Sequence, residues 1–433
     1  MTTSPRLSRA TLASTAGTAL EWYDFALYGT ASALVFAHVF FPSGSELAAT
    51  LASLGTFAVG FLARPVGGVI IGLLGDRVGR RQMLFVTLLL MAAASTAIGL
   101  LPTYGAIGVW APVLLVMLRV LQGVGAGGEY AGAMLLSAEH AVDAHRGLNA
   151  SIPSVGNALG SLIATGIFYL TAAALPQEQF LDWGWRIPFL LSAVLAVAAF
   201  VIRLRVAESP EFRASEGPQR SGGDQLVEVV RRGGRRIPLA MLMSIAPNVL
   251  SYLPSVYALT YLANQVGAPE SVGLLGLMIA NLLKVVTVPT AGWLSDRFGG
   301  RRIMIIGSLA GAVLFFPFFL LLDTGIPLLI WIAFVMIFTL CCDMTLASQA
   351  MMLSSLFDVD VRYGSVTFSR EITGAVVGGG IPFVAAALTG VLDGRPWLVA
   401  LLCSVLCVVC ALGTRALPEV RSGEKATRVA SAG

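Results

Sequence analysis

The chain has 433 residues, of which 56% are hydrophobic and only 12% are charged, with a formal net charge of +4 and a mean hydropathy of +0.82. Soluble globular proteins carry about 25% charged residues, so this composition excludes a soluble protein of two or three domains. Apolar runs of about 20 residues, long enough to cross a hydrocarbon core, recur along the chain. The sequence therefore predicts an all-α membrane protein with many spans.

The N-terminal segment, residues 1–10, is short and polar and carries Arg6 and Arg9. It has no small-residue cleavage site before the first apolar run, so we expect a cytoplasmic tail and not a signal peptide.

Twelve spans are predicted from the apolar runs. Several exceed 25 residues, which leaves room for tilt. The predicted ranges are 14–40, 50–75, 83–101, 106–138, 147–174, 185–205, 237–265, 270–296, 302–322, 326–356, 362–390 and 394–416.

The Lys and Arg residues are distributed unevenly between the two sides of the membrane. With the N-terminus inside, the cytoplasmic segments hold 22 of the 28 residues, and the other side holds only Arg186 and Arg395. The positive-inside rule then places both termini in the cytoplasm, and we expect a multi-pass protein of the plasma (inner) membrane.

The longest polar stretch is rich in Gly, Ser, Pro and Arg and separates six spans from six. It predicts three parts: an N-terminal six-helix bundle (1–205), a cytoplasmic linker (206–236), and a C-terminal six-helix bundle with a cytoplasmic tail (237–433). A helix on the membrane surface within "DQLVEVVRR" is the alternative for part of the linker.

The two halves contain a repeated loop. "GLLGDRVGRRQML" (72–84) and "GWLSDRFGGRRIM" (292–304) both follow the second span of their half, with D-R-x-G cores that begin at Asp76 and Asp296. A duplicated six-span unit is one of the architectures on which transporters are built.

These two loops resemble the signature between spans two and three of the major facilitator superfamily, and "RVLQGVGAGGEYAGA" (119–133) resembles its fourth-span motif. "EWYDFALYG", "RPVGGVIIGLLGDRVGRR", "WGWRIPFLLSA" and "VRYG" together resemble its metabolite–proton symporter branch. The resemblance implies twelve transmembrane helices in two pseudo-symmetric six-helix bundles. It also implies a small-molecule substrate such as a carboxylate or a zwitterionic osmolyte.

The charged residues of the two loops are candidates for a cytoplasmic gate that latches the halves in one state. Gly300 replaces the arginine of the first copy, so we expect the second latch to be weaker; orientation and capping alone are the alternative. The candidate gate residues are Asp76, Arg77, Arg80, Arg81, Asp296 and Arg297.

Nine ionisable residues lie well inside the predicted spans. Each would cost about 2.5–3.5 kcal/mol near the centre of a lipid-exposed helix, so they must face one another, a cavity or water. They are Glu21, Asp24, Arg64, Arg119, Glu129, Lys284, Asp343, Arg370 and Glu371.

In the N-terminal half, Glu21 and Asp24 share a helix face with Tyr28. By the resemblance, Asp24 and Arg119 correspond to the first-span acid and fourth-span arginine of proton-coupled sugar porters, in which a proton on the acid releases the arginine. Glu129 is the alternative proton carrier, and a static ion pair is the other alternative. Tyr28 is expected to line the cavity, with Glu21 nearer its cytoplasmic mouth.

In the C-terminal half, Lys284 and Arg370 are read as cations for an anionic substrate, with Asp343 or Glu371 tuning them. The alternative is that Lys284 pairs with Asp343 and Arg370 pairs with Glu371, so that each pair is neutral by itself. Four more polar residues are candidate substrate contacts: Asn157, Asn248, Tyr252 and Asn281.

Other chemistry finds little support in the sequence. "GVGAGG" (123–128) lies within an apolar span, so Gly123 and Gly127 are read as a G-x-x-x-G packing face and not as a dinucleotide site. There is no P-loop, the cysteines have no metal-ligand spacing, and no nucleophile–base constellation supports an enzyme. We expect no cofactor beyond a coupling proton, no nucleic-acid partner, and a monomer.

The favoured interpretation is a proton-coupled symporter that imports a small mono- or dicarboxylate by alternating access. Symport of a zwitterionic osmolyte is one alternative. Proton antiport or export is another, although the fifth span lacks the G-P-x-x-G-G pattern of exporters. A membrane sensor or a membrane-bound enzyme is the non-transport alternative.

Overall fold

The computed structural model describes residues 9–42, 44–78, 80–127, 146–205, 231–357 and 359–417. Side chains are described over these ranges except near some of their ends and around residues 72–84. Most of the predicted linker and the C-terminal tail therefore lie outside the described residues, and the division into three parts stays a prediction.

All regular structure in the described ranges is helical, and it forms twelve long helices with short helical turns between some of them. The twelve are α1 (Arg9–Leu34), α2 (Glu46–Val78), α3 (Arg80–Leu100), α4 (Trp110–Ala126), α5 (Gly147–Ala174), α6 (Arg186–Arg205), α7 (Arg236–Val266), α8 (Glu270–Phe298), α9 (Gly300–Asp323), α10 (Pro327–Leu356), α11 (Val359–Thr373 and Gly380–Val391) and α12 (Trp397–Ala416).

Their lengths and composition fit a polytopic membrane protein. Eight helices of the described chain are long and apolar enough to cross a bilayer, and α6 with the bent segment Gln177–Gly184 makes a ninth. Large apolar side chains on the outer faces are exposed, for example Leu89 at 71% and Val391 at 73%. Such surfaces are stable against lipid and not against water.

The helices follow the predicted spans in order, with different ends. The first helix begins and ends earlier than the predicted span, because α1 runs from Arg9 to Leu34 and a separate short helix, Phe36–Val39, follows it. The helix of the fourth span ends at Ala126, and residues 128–138 of its predicted range lie outside the described residues.

Four segments of π-helix interrupt the C-terminal helices. They are Leu253–Tyr257 and Leu262–Val266 in α7, Phe338–Cys342 in α10 and Gly374–Gly378 in α11. Such bulges frequently mark functional sites. Tyr252 precedes the first, Asp343 follows the third, and Glu371 lies three residues before the fourth.

Glycines allow α2 and α4 to pack almost backbone to backbone. A Cβ atom on Gly67 would lie 2.2 Å from the carbonyl oxygen of Val124, and one on Gly123 would lie 2.2 Å from the carbonyl oxygen of Gly60. Gly127 is similarly close to Gly68. The structure thus confirms the packing role of the G-x-x-x-G pair.

The two halves meet along four helix pairs: α1 with α7, α2 with α11, α5 with α8, and α5 with α10. Across the first pair, Trp22 stacks on Tyr252 with ring centroids 6.0 Å apart. Across the third, Gly147 and Gly292 approach so closely that a Cβ on either would lie within 2.7 Å of the other's carbonyl oxygen. Residues that face these pairs lie between the two halves of the bundle.

We predict that Gly67→Ala lowers the thermal stability of the purified protein in detergent, because the added methyl group overlaps the backbone of Val124. Overpacking of this kind costs about 1–3 kcal/mol. Gly166→Ala is the matched control, since its Cβ would meet only the flexible end of Met278 at 3.6 Å. Equal melting temperatures for the two variants would contradict the close packing.

Candidate functional site

A buried charge triad joins the two halves. Arg64 of α2 donates from Nη2 to Glu21 Oε1 of α1 at 2.9 Å, and from Nε to Glu371 Oε2 of α11 at 2.7 Å. All three residues are at most 5% exposed. The guanidinium carbon also lies 4.6 Å from the centre of the Phe25 ring. Charge-assisted bonds of this length are the strong class of hydrogen bond.

This triad contradicts one alternative drawn from the sequence. The Arg370–Glu371 pair of that alternative is wrong, because Glu371 binds Arg64 of the other half. Glu21 and Asp24 have different partners, since Glu21 binds Arg64 whereas Asp24 contacts α6 and α3.

Asp24 lies in a separate polar cluster inside the N-terminal half. Its Oδ1 accepts a hydrogen bond from the Ser192 hydroxyl at 3.0 Å, and Ser95 of α3 is a second side-chain partner. Asp24 is 2% exposed and forms no ion pair with any described residue. An acid held only by hydroxyl groups can lose its charge without leaving a cation unpaired.

Arg119 of α4 is fully buried among aromatic rings. Its guanidinium carbon lies 3.9 Å from the centre of the Tyr28 ring, and Phe25 and Phe57 line the same space. Nη1 donates to Gln122 Oε1 at 2.6 Å, whereas Nε and Nη2 have no hydrogen-bond partner among the described residues. Cation–π contacts take the place that a carboxylate would usually fill.

Asp24 and Arg119 are therefore neighbours without being an ion pair. Gln122 Nε2 donates to the Ser95 hydroxyl at 2.7 Å, so a chain of side chains runs from Asp24 through Ser95 and Gln122 to Arg119. The expected direct contact is absent between these two described residues. Glu129, the alternative carrier, lies outside the described residues.

Tyr28 is fully buried, and its hydroxyl donates to Thr56 at 2.7 Å. The ring forms a wall beneath Arg119. A role for Tyr28 in substrate binding stays a prediction.

Lys284 lies at the interface of α8 with α5. Its ammonium group is 3.5 Å from Asn157 Oδ1 and 5.5 Å from the centre of the Phe338 ring. Asp343 is an electrostatic neighbour but not an ion-pair partner; its Oδ2 accepts a hydrogen bond from Thr287, and its Oδ1 has no partner among the described residues. The Lys284–Asp343 salt bridge of the alternative interpretation is not formed.

Arg64 and Lys284 occupy matching positions in the two repeats. Each lies twelve residues before the aspartate of its D-R-x-G loop, and each contacts the other half. The contact of Arg64 is a carboxylate, while that of Lys284 is an amide at the outer limit of hydrogen bonding. The repeat thus places one neutralised and one poorly neutralised cation between the halves.

The remaining candidates surround the same interface. Tyr252 packs on Phe61 at 4.9 Å and has Arg64 and Arg370 as charged neighbours. Asn248 Nδ2 donates to the Ser244 carbonyl at 2.7 Å, while its Oδ1 faces the glycine-rich π segment of α11. Asn281 lies buried one turn before Lys284.

The second gate loop contacts the opposite half. Asp296 accepts hydrogen bonds from the backbone N–H groups of Gly147 and Leu148, at 2.6 and 2.9 Å, at the start of α5. The carboxylate satisfies two otherwise unpaired donors of that helix terminus. Arg297 instead lies beside the Trp293 and Phe298 rings. The side chains of Asp76, Arg77, Arg80 and Arg81 lie outside the described residues.

A cavity of about 270 Å³ lies between the halves at the end of the bundle opposite the two loops. Glu46 and Thr50 of α2 line one side, and Tyr257, Asn264 and Thr389 line the other. A hydrogen bond between Tyr257 and Thr389 holds the wall of the C-terminal half together. Asn264 donates to the Thr50 hydroxyl and so joins the two walls. The described residues contain no group of three His, Cys, Asp or Glu residues that could hold a metal ion.

The pattern of the sugar (and other) transporter family matches residues 9–226 and again residues 219–422, once for each half. The chain belongs to this family. Among its relatives, the shikimate transporter of Escherichia coli K12 is 39% identical over 94% of this chain and 93% of its own length. The proline/betaine transporter of Salmonella typhimurium is 34% identical over 88% of this chain and 78% of its own.

Solved structures agree on the fold of this family member. The xylose transporter XylE from E. coli, in a partially occluded inward-open conformation, superposes with a TM-score of 0.74 at 20% identity, over 95% of this chain and 99% of that one. These comparisons confirm the major facilitator fold and a multi-pass integral membrane transporter of small molecules, and they contradict the enzyme alternative.

Sequence reasoning missed three polar residues of this transporter: Ser95, Gln122 and Ser192. Each is an uncharged polar side chain inside an apolar span, and each is at most 1% exposed. Gln122 lies one turn after Arg119, a spacing that places both on one helix face and could have suggested the contact.

We predict that Gln122→Leu destabilises the transporter by about 1–3 kcal/mol, because Arg119 would lose its one hydrogen-bond acceptor among the described residues. Gln349→Leu is the matched control: Gln349 is also buried, and among the described residues it donates to the neutral Ser244 hydroxyl and not to a charged group, so its loss should cost less. Thermal unfolding of the two purified variants measures the difference, and a more severe effect at Gln349 would contradict the role of Gln122.

Proposed function

We propose that this transporter is a proton-coupled symporter that imports a small organic acid, a mono- or dicarboxylate, by alternating access between its halves. The observation that carries the proposal is Lys284. It is a cation at 1% exposure between the two halves, and its cross-half partner is a neutral amide 3.5 Å away.

A substrate carboxylate would complete the environment of Lys284. Isolated cations are costly in the membrane interior, and the matching residue Arg64 shows the same position stabilised by two carboxylates. Asn157 Nδ2 has no hydrogen-bond partner among the described residues and is available as a second donor to an anion. Arg370, next to Tyr252, is the proposed second cation and can offer a two-pronged contact.

Asp24 is the proposed carrier of the coupling proton. It is buried, its described partners are hydroxyl groups, and it reaches Arg119 only through Ser95 and Gln122. A proton arriving at Asp24 would change the hydrogen bonds of this chain and so alter how Arg119 is held. No cofactor beyond this proton is proposed.

A zwitterionic substrate is the second candidate, and one observation favours it. Asp343 Oδ1 has no hydrogen-bond partner among the described residues and lies near Lys284, so the pair could receive a cationic and an anionic group together. Relatives are named for both kinds of molecule, since shikimate is a carboxylate and proline and betaine are zwitterions.

Three further features belong to the proposal. The Lys and Arg distribution supports cytoplasmic termini. One relative is an inner membrane metabolite transport protein of E. coli, 38% identical over 88% of this chain, which supports the same membrane here. The proposed unit is a monomer, because the site lies between the halves of one chain.

Uptake by proteoliposomes tests coupling. We predict that a pH gradient, acid outside, drives accumulation of a carboxylate, and that Asp24→Asn abolishes accumulation while exchange between equal pools persists. Glu178→Gln, at an exposed residue of the short helix Gln177–Gln179, is the control for loss of an acid. Proton-driven accumulation at the wild-type level in Asp24→Asn would assign the coupling elsewhere, and accumulation driven by the reverse gradient would indicate antiport.

Binding measurements test the anion site. We predict that Lys284→Met and Arg370→Lys each weaken carboxylate binding to purified protein by about 30-fold or more, because a buried substrate charge would be left partly unpaired. Arg395→Gln removes an exposed cation and should leave affinity unchanged. Affinities of both site variants within about twofold of the wild type would favour a zwitterionic or neutral substrate.

A further inference from the structure

We propose that the Arg64–Glu371 ion pair is a latch that closes the pathway at the end of the bundle carrying the D-R-x-G loops, here called the motif end. The latch opens when Glu371 moves away with the C-terminal half. The latch depends neither on the identity of the substrate nor on proton coupling. It requires only that the two halves separate and close again at the motif end.

The position of the triad fits a gate at the motif end. Glu21 and Glu371 each lie twelve residues after the start of their helix at that end, and Arg64 lies fourteen residues before the end of α2. The cavity between the halves lies at the opposite end. The pair therefore lies between this cavity and the motif end, where it blocks passage.

The two carboxylates on Arg64 differ in what they connect. Glu21 and Arg64 belong to the same half, so their bond is kept when the halves rotate as units. Glu371 belongs to the other half, and its 2.7 Å bond to Nε spans the moving interface. A guanidinium group has N–H donors on different nitrogen atoms, so it can release one carboxylate and stay bonded to the other.

This arrangement makes opening reversible. If Arg64 had Glu371 alone, separation would leave a buried guanidinium without a counter-ion, which is strongly unfavourable. Because Glu21 remains at 2.9 Å, Arg64 stays neutralised in the open state. Closing then regains one strong hydrogen bond, which is enough to bias the equilibrium without fixing it.

The backbone beside Glu371 is suited to such a movement. The π segment Gly374–Gly378 begins three residues later and interrupts the regular helix of α11. Directly after it, Gly379 packs so close to Phe61 of α2 that a Cβ would lie 2.6 Å from the Phe61 Cβ. The contact between the halves is thus tight at a place where α11 is already irregular.

Thiol labelling of two reporter positions tests the latch. Thr367 lies one turn from Glu371 towards the motif end, with its hydroxyl buried and without a hydrogen-bond partner in the described part of the chain. Thr50 lines the cavity at the opposite end. Thr367→Cys and Thr50→Cys, each in full-length protein in nanodiscs, are reacted with a water-soluble maleimide. The five native cysteines are buried, and protein without a reporter gives their background.

The decisive comparison is Glu371→Gln against Glu21→Gln. Both remove one acid from the same guanidinium, but only Glu371 crosses the halves. We expect Glu371→Gln to raise the labelling rate at Thr367→Cys about tenfold and to lower it at Thr50→Cys, as one lost charge-assisted hydrogen bond would do to an opening equilibrium. Glu21→Gln should instead lower the labelling rate at Thr367→Cys, because opening would then leave Arg64 without a counter-ion. Glu371→Asp keeps the charge but has a shorter side chain, so it should change the two labelling rates by an intermediate amount. This variant replaces Glu371→Gln in the comparison if Glu371→Gln does not fold.

Equal effects of Glu21→Gln and Glu371→Gln would overturn the latch, because they would show a structural pair without a gating role. An increase at both reporters would also overturn it, as the sign of general loosening. So would unchanged labelling in Glu371→Gln or Glu371→Asp. Since no substrate is added, these outcomes are independent of whether the transported molecule is an organic acid.

Discussion

A charged side chain in hydrocarbon must have a partner, because neither lipid nor an apolar core can solvate it. This constraint organises the interior of the transporter. Arg64 is held by two carboxylates, Arg119 by aromatic rings and one amide, and Lys284 by one amide and one aromatic ring. The three cations thus range from fully to poorly neutralised, and the differences among them suggest different tasks.

The polar clusters depend on helices that approach closely. Glycines bring α2 within backbone contact of α4, and this places Arg119 against α2, where a Cβ on Gly60 would overlap its guanidinium. Across the halves, Gly147 and Gly292 permit the same approach between α5 and α8, beside the aspartate that caps α5. Small residues therefore set the distances at which the few charges can interact.

The duplicated sequence produces sites that match in position and differ in chemistry. Arg64 and Lys284 are related by the repeat, yet one meets a glutamate across the interface and the other an asparagine. The contact between α2 and α11 is consequently charged and closed, whereas the contact between α5 and α8 leaves polar atoms unused. An asymmetric interior of this kind suits a protein whose halves must hold a substrate on one side and separate on another.

The sequence by itself determined the class of this protein. Apolar runs, the bias of Lys and Arg, the repeated loop and its resemblance gave a polytopic helical transporter, since each depends on the local chain and on the bilayer. It also identified the buried ionisable residues, because charges in apolar runs are conspicuous. Tertiary structure alone decided their partners. Glu371 could have bound its neighbour Arg370 or any cation within reach, and it binds Arg64, which is 307 residues away. Asp24 and Arg119 likewise prove to be joined through Ser95 and Gln122. Helix rotation and the crossing of helices set these pairings, and neither is encoded in the spacing of residues along one span.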